Sequence, residues 1–154
     1  MPSIEDLIQQ NKFRDEKHKA IISVIYTSNL LSNFHESYFK KFNLTSQQYN
    51  ALRILRGQYP KPATVNVIRD RMMDKMSDAS RIVERLRKAG FVERIVCKED
   101  RRAVDVQITQ KGLDVLAEID AHDEKIDKPA EKLTQEEARE LSRLLGKMID
   151  ALVS

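Results

Sequence analysis

Tryptophan is absent from this sequence, cysteine occurs once, and glycine and proline occur four times each. So few turn-forming residues exclude a loop-rich or all-β chain. A lone cysteine excludes an intrachain disulfide framework and suits a reducing cytoplasm. Apolar runs are short, far below the roughly 20 residues that span a bilayer. The first residues, Met1 to Lys19, show no basic stretch followed by an apolar core, so no signal peptide is expected. There is no Gly-rich phosphate loop, no nucleophile motif and no His or Cys spacing suited to a metal. The expectation is a cytoplasmic, α-rich protein of 154 residues, one domain in size, without enzymatic activity, metal or cofactor.

Charge is present in quantity and unevenly placed. Asn50 to Gly112 carries 15 Lys/Arg against 8 Asp/Glu, while the rest of the chain carries 12 against 16. A basic module flanked by mildly acidic arms points to a polyanionic partner for the module and another purpose for the arms.

From Ile4 to about Phe39 apolar residues recur at helical spacing with no Gly or Pro after Pro2, so one long helix is predicted. Around Ile21, Ile22, Ile25 and Leu31 it is apolar on nearly every side, more than one neighbouring face can bury. "LTSQQYNALRILRG" follows, with a Thr45/Gln48 capping box and Gly57 at its end. After a loop with two prolines, Thr64 can cap a short helix carrying Val65, Val67, Ile68 and Met72.

"SDASRIVERLRKAG" is the most informative segment. Ser77 is placed as the N-cap, Asp78 suits the positive end of the helix dipole, and Gly90 suits a left-handed terminator. Ala79, Ile82, Val83 and Leu86 share one face. At about 100° per residue Ser77, Arg81, Glu84 and Lys88 fall opposite, with Asp78 and Arg85 at the edge. Phe91 to Val96 and Val104 to Ile108 then read as two strands joined by "CKEDRR". Thr109 caps a predicted helix through Ile126, and Thr134 with Glu137 opens a last one. That helix carries a wide apolar stripe of Leu141, Leu144, Leu145, Met148, Ile149 and Leu152.

Two short helices, a capped helix with a basic outer face and a hairpin give a winged helix-turn-helix order. Ser77, Asp78, Ser80 and Arg81 sit where a helix in a major groove meets base edges, and Arg85 and Lys88 suit phosphates. The plainer reading of the helix is a solvated charged face. The hairpin tilts the balance, because a turn has no need of two guanidinium groups. Arg101 and Arg102 at a wing tip can reach a minor groove or clamp phosphates, and Asp100 can hold an arginine extended.

The stretch "SDASRIVERLRKAGFVERIVCKEDRRAVDVQITQKG" resembles the core signature of MarR-type transcriptional regulators. Three pieces carry the likeness: S-x-x-SR-[IV]-V-x-R-L, the G-[LF]-V-x-R strand entry, and a wing D-x-R followed by a strand and T-x-K-G. "LTSQQYNALRIL" is similar to the family's preceding helix, whereas "TVNVIRDRMMDKM" departs from its Leu-Ala-x-x-Leu pattern. The resemblance implies that Arg102 enters the minor groove with Asp100 bracing it, and that the terminal helices form an intertwined homodimer. It also implies a small, often phenolic, effector near the junction of dimer and DNA-binding parts.

The resulting expectation is a mainly α protein with a small β-hairpin, a winged helix-turn-helix DNA-binding module flanked by N- and C-terminal dimerisation helices. Residues 1–42 form the first arm, 43–110 the module (recognition helix about 77–89, wing about 91–109) and 111–154 the second arm. Ile21, Ile22, Ile25, Leu141, Leu145, Met148, Ile149 and Leu152 are the expected dimer interface. Tyr26, Phe34, His35 and Tyr38 are candidate effector contacts, although aromatics at this spacing also suit a core. The expected function is a ligand-responsive repressor on a pseudo-palindromic duplex operator. The rival is a winged-helix module docking an acidic protein. Cys97 is set aside as a redox sensor, since the resemblance places a reactive cysteine in the N-terminal helix, where this chain has none.

Overall fold

The N-terminal apolar run folds as two helices, which corrects the single helix expected from its spacing. Helix α1 (Ile4–Ile8) is closed at one end by a Ser3/Asp6 capping box and at the other by Gln9 in a left-handed conformation, φ 55°. The polar stretch from Gln9 to Asn11 offers the backbone nothing to pack on. Asp15 then restarts the chain by accepting the His18 N–H at 2.7 Å, opening α2 (Glu16–Lys40). Periodicity carried through that break because it weighs apolar positions and not the capping side chains between them.

The structure is a computed structural model describing residues 1–96 and 104–154, divided into two compact units, Met1–Ala117 and Glu118–Ser154. In the first unit only Tyr38 and Phe39, at the end of α2, are buried in that helix. Phe39 stacks on Tyr49 at 4.0 Å between ring centroids, joining α2 to α3 (Ser46–Gln58). The Thr45/Gln48 capping box forms as expected. Helix α4 (Val65–Arg71) starts at Thr64, whose hydroxyl accepts the Val67 N–H.

Ahead of α4 lies an element that periodicity did not predict, the two-residue strand β1 (Ala63–Thr64). Two residues are too few to show an alternation, so nothing in the sequence pattern marks them. They pair antiparallel with β3 (Val104–Ile108), which also pairs with β2 (Val92–Val96), giving the order β1-β3-β2. Val92 faces Ile108 and Val96 faces Val104 in register. The core gathers Leu52 and Leu55 of α3, Ile68 of α4, Val106 of β3 and the inner face of α5 (Ala79–Lys88). Each fully buried Leu or Ile side chain stabilises the fold by about 1.5–3 kcal/mol.

Helix α6 (Gln110–Asp120) stops short of the expected Ile126. No apolar side chain follows Ile119 and Ala121 until Ile126, so the next turn has nothing to bury. Asp123 and Glu124 favour a helix start, and α7 (Asp123–Ile126) begins there. A 3-10 turn (Lys128–Ala130) leads to α8 (Gln135–Val153), opened by the expected Thr134/Glu137 capping box. Among the described residues no helix is long and apolar enough to cross a membrane.

Candidate nucleic-acid interface

Helix α5 starts one residue later than the sequence suggested, and its N-cap is Asp78, not Ser77. The Asp78 carboxylate accepts the Arg81 N–H at 3.1 Å. Both residues can cap, but only the carboxylate also places a negative charge at the positive end of the dipole. Ser77 instead donates its N–H to the Asp74 carbonyl at 3.1 Å. Its hydroxyl is buried, with no hydrogen-bond partner among the described residues.

The turn leading into α5 is fastened to α3. Gln47 donates to the Asp74 carboxylate at 3.0 Å, the Asn50 side-chain oxygen accepts the Met73 N–H at 2.9 Å, and Asp74 accepts the Met76 N–H at 2.9 Å. Gln47, Asn50 and Asp74 therefore fix how the start of α5 is presented. Sequence reasoning missed all three. Gln47 and Asn50 are three apart on α3 and so share a face, but their partners lie more than 20 residues away and leave no local signal.

The faces of α5 divide as its periodicity predicts. Ala79, Ile82, Val83 and Leu86 are buried, while Ser80, Arg81, Arg85 and Lys88 are exposed. A cleft of about 280 Å³ separates the N-terminal end of α3 from α5, lined by Gln47, Met76, Ser77, Asp78, Arg81 and Arg85 among others. On the opposite flank Glu84 binds Arg87 through two hydrogen bonds, at 3.1 and 2.8 Å, and Arg94 of β2 at 2.8 Å. The Arg87 hydrogen bonds, with the positive charges of Arg87, Arg94 and Lys88, hold the Glu84 carboxyl below the usual carboxylate range. Arg81, Arg85 and Lys88 form no ion pair among the described residues. Arg81, Arg85 and Lys88 are thus left without an ion-pair partner among the described residues, while the single Glu84 carboxylate is shared by Arg87 and by Arg94 of β2.

Its C-terminal end closes as a Schellman motif. Gly90 adopts φ 81°, where an L side chain is disfavoured. The Gly90 N–H reaches the Arg87 carbonyl and the Phe91 N–H reaches that of Leu86, both at 3.0 Å. Gly90 is the terminator expected from the sequence.

The remaining candidates sit apart from this face. Asp100, Arg101 and Arg102, with Cys97, lie outside the described residues. Tyr26, Phe34 and His35 are half-buried along α2, whereas Tyr38 is in the core. Tyr38 packs its ring against Phe39 and Phe42 at 5.5 and 5.6 Å, and Phe34 meets His35 at 5.6 Å. For Tyr38 the plainer alternative, a core aromatic, is the observed one. Ile21 is 45% exposed and Ile25 54%, with Ile22 half-buried. In the second unit Leu141, Ile149 and Leu152 are exposed and Leu145 and Met148 half-buried.

Two helices, α3 and α4, the capped basic helix α5 and a three-stranded sheet make a winged helix-turn-helix module. The MarR family model matches residues 42–103. The HTH-type transcriptional regulator MgrA of Staphylococcus aureus is 31% identical over 113 residues, covering 73% of this chain and 75% of that protein. The chain belongs to the MarR family of transcriptional regulators and is a regulator, not an enzyme. Among solved structures, a mutant of MarR from E. coli complexed with operator DNA superposes with a TM-score of 0.75 at 19% identity, over 90% of this chain and 99% of that one. The organohalide-sensing regulator RdhR in its 2,4-dichlorophenol-bound form gives 0.78 at 18% identity, over 92% and 86%.

Proposed function

We propose that this regulator acts as a homodimer, binds a pseudo-palindromic duplex operator through α5 and the wing, and represses transcription until a small aromatic effector binds. The observation that carries the DNA reading is the sorting of charge on α5. Arg81, Arg85 and Lys88 lie exposed on the outer face, without an ion pair among the described residues, while Glu84 takes up Arg87 and Arg94. Cations left unpaired in a folded protein are those available to phosphates and base edges.

In this reading Ser80 and Arg81 address base edges, Asp78 shapes the start of the helix, and Arg85 and Lys88 hold phosphates. Ser77, with its hydroxyl buried, acts through the turn. Arg102 reaches the flanking minor groove with Asp100 as brace, as the family likeness implies, and Arg101 is a further DNA contact. The division into a DNA-binding module at 43–110 and arms at 1–42 and 111–154 belongs to the same proposal. So does the interface of Ile21, Ile22, Ile25, Leu141, Leu145, Met148, Ile149 and Leu152. Apolar exposure on this scale is what an obligate partner covers. RdhR, in its phenol-bound form, supports an effector of that class, seated here against Tyr26, Phe34 and His35 with Tyr38 as wall.

Selection of bound fragments from random duplexes tests the proposal. Enrichment of an inverted repeat whose half-sites lie about one helical turn apart is expected. Failure to enrich any sequence, or binding that vanishes even for bulk duplex at low salt, would refute it.

A further inference from the structure

The polar groups at the end of α5 are shared between the helix's own terminus and the start of α6. The Schellman turn uses the Leu86 and Arg87 carbonyls. The three carbonyls after Lys88 are served from outside. The Lys111 ammonium donates to the Ala89 carbonyl at 2.6 Å, the Thr109 hydroxyl donates to that of Gly90 at 2.7 Å, and the Thr109 N–H donates to that of Phe91 at 3.0 Å. The same Thr109 hydroxyl accepts the Gly112 N–H at 3.2 Å, capping α6. Lys111 also stands 4.7 Å from the centre of the Phe91 ring. Gly112 permits the approach: a Cβ there would lie 2.5 Å from the Phe91 carbonyl oxygen and 2.6 Å from Ile108. A cation at this end of a helix also complements its dipole.

From this convergence we infer that Lys111 is a positioning residue for DNA reading: with Thr109 it fixes the angle at which the recognition helix leaves its last turn and the wing begins. The inference rests on α5 being the helix that reads DNA. Lys111 acts through Ala89 and Phe91 and touches no base. Its removal therefore alters how well the helix fits one sequence, and leaves the phosphate-seeking cations of α5 in place.

The test compares the wild type with Lys111→Met and Lys111→Arg on two probes at several salt concentrations: the duplex that the wild type enriches from random sequence, and a random duplex of equal length. Lys111→Met should bind the selected duplex about tenfold more weakly, comparable to misreading roughly one base pair. Its affinity for random duplex and its salt slope should be unchanged, and Lys111→Arg should recover most of the loss. Equal weakening on both probes, with the slope reduced by about one phosphate contact, would make Lys111 a simple phosphate ligand and overturn the inference. Unchanged binding on both probes would overturn it too. Thermal melts establish that each variant is folded at the assay temperature. Should Lys111→Met melt below it, Lys111→Gln, which keeps a donor on a shorter stem, replaces it in the same comparison. A wild type that enriches no sequence would instead defeat the underlying DNA reading, a separate outcome visible before any variant is made.

Discussion

Helices α5 and α8 are both amphipathic, yet they meet opposite fates. Four of the ten residues of α5 are buried, all on one stripe, whereas none of the nineteen residues of α8 is buried. In α5 the apolar stripe is matched by α3, α4 and the sheet within the same unit. In α8, Leu141, Leu144, Ile149 and Leu152 remain exposed despite a stripe as wide. Amphipathy reports that a face is meant to be covered; it is silent on whether the cover comes from the same chain. The same contrast runs along α2, where Tyr38 and Phe39 are buried and Ile21 and Ile25 are not.

Breaking the uncovered face should have the largest effect. Leu145→Glu combined with Ile149→Glu is expected to give aggregated or unfolded chains and no folded dimer, read by light scattering and circular dichroism. A well-folded monomer would show that α8 needs no cover. Next comes the covered face. Leu86→Ala leaves a cavity beneath α5 and should cost about 2–5 kcal/mol in denaturant unfolding, with DNA contacts otherwise untouched.

Smaller effects sharpen the comparison between the two flanks of α5. Arg81→Ala should lose about 1–3 kcal/mol on the selected duplex and relax base preference at one position, if it addresses a base edge. Lys88→Ala should weaken all duplexes alike and lower the salt slope by about one phosphate contact. Identical behaviour of these two variants would erase the division between reading and anchoring. The mildest change is expected from Glu84→Gln, which removes the carboxylate holding Arg87 and Arg94. Random-duplex affinity should rise slightly and the salt slope steepen, because at least one arginine becomes available to phosphate. A weaker random-duplex affinity would mean that Glu84 aims those arginines and does not restrain them.

Much of the fold was legible because its signals are local. Thr45, Thr64 and Thr134 cap the helices their spacing assigned to them, Gly90 ends α5 in the left-handed region, and the apolar periodicity of α5 marks its buried face. The errors have a common physical origin as well. The break after Ile8 rests on Gln9 turning left-handed and on Asp15 capping the next helix, and the early end of α6 depends on a lapse in apolar partners. Displacement of the N-cap from Ser77 to Asp78 was a contest between adjacent good caps. Strand β1 and the Gln47–Asp74 and Asn50–Met73 links join residues distant in sequence, and no window of the chain contains both partners. On the candidate site, the outer face of α5 was readable, but the parts that orient it were not.

The close approach at Gly112 has a consequence for how this sequence can drift. A methyl group added there would strike the backbone oxygen of Phe91, and backbone cannot rotate aside as a side chain can. Any substitution must therefore shift the strand that enters the wing or the helix that precedes it. Neighbouring Gln110, exposed and with its side chain hydrogen-bonded to Asp114 within its own helix, carries no such veto. Gly112 thus limits which descendants of this chain can keep the present joint between α5, β2 and α6, and the limit is set by the volume of one missing carbon atom.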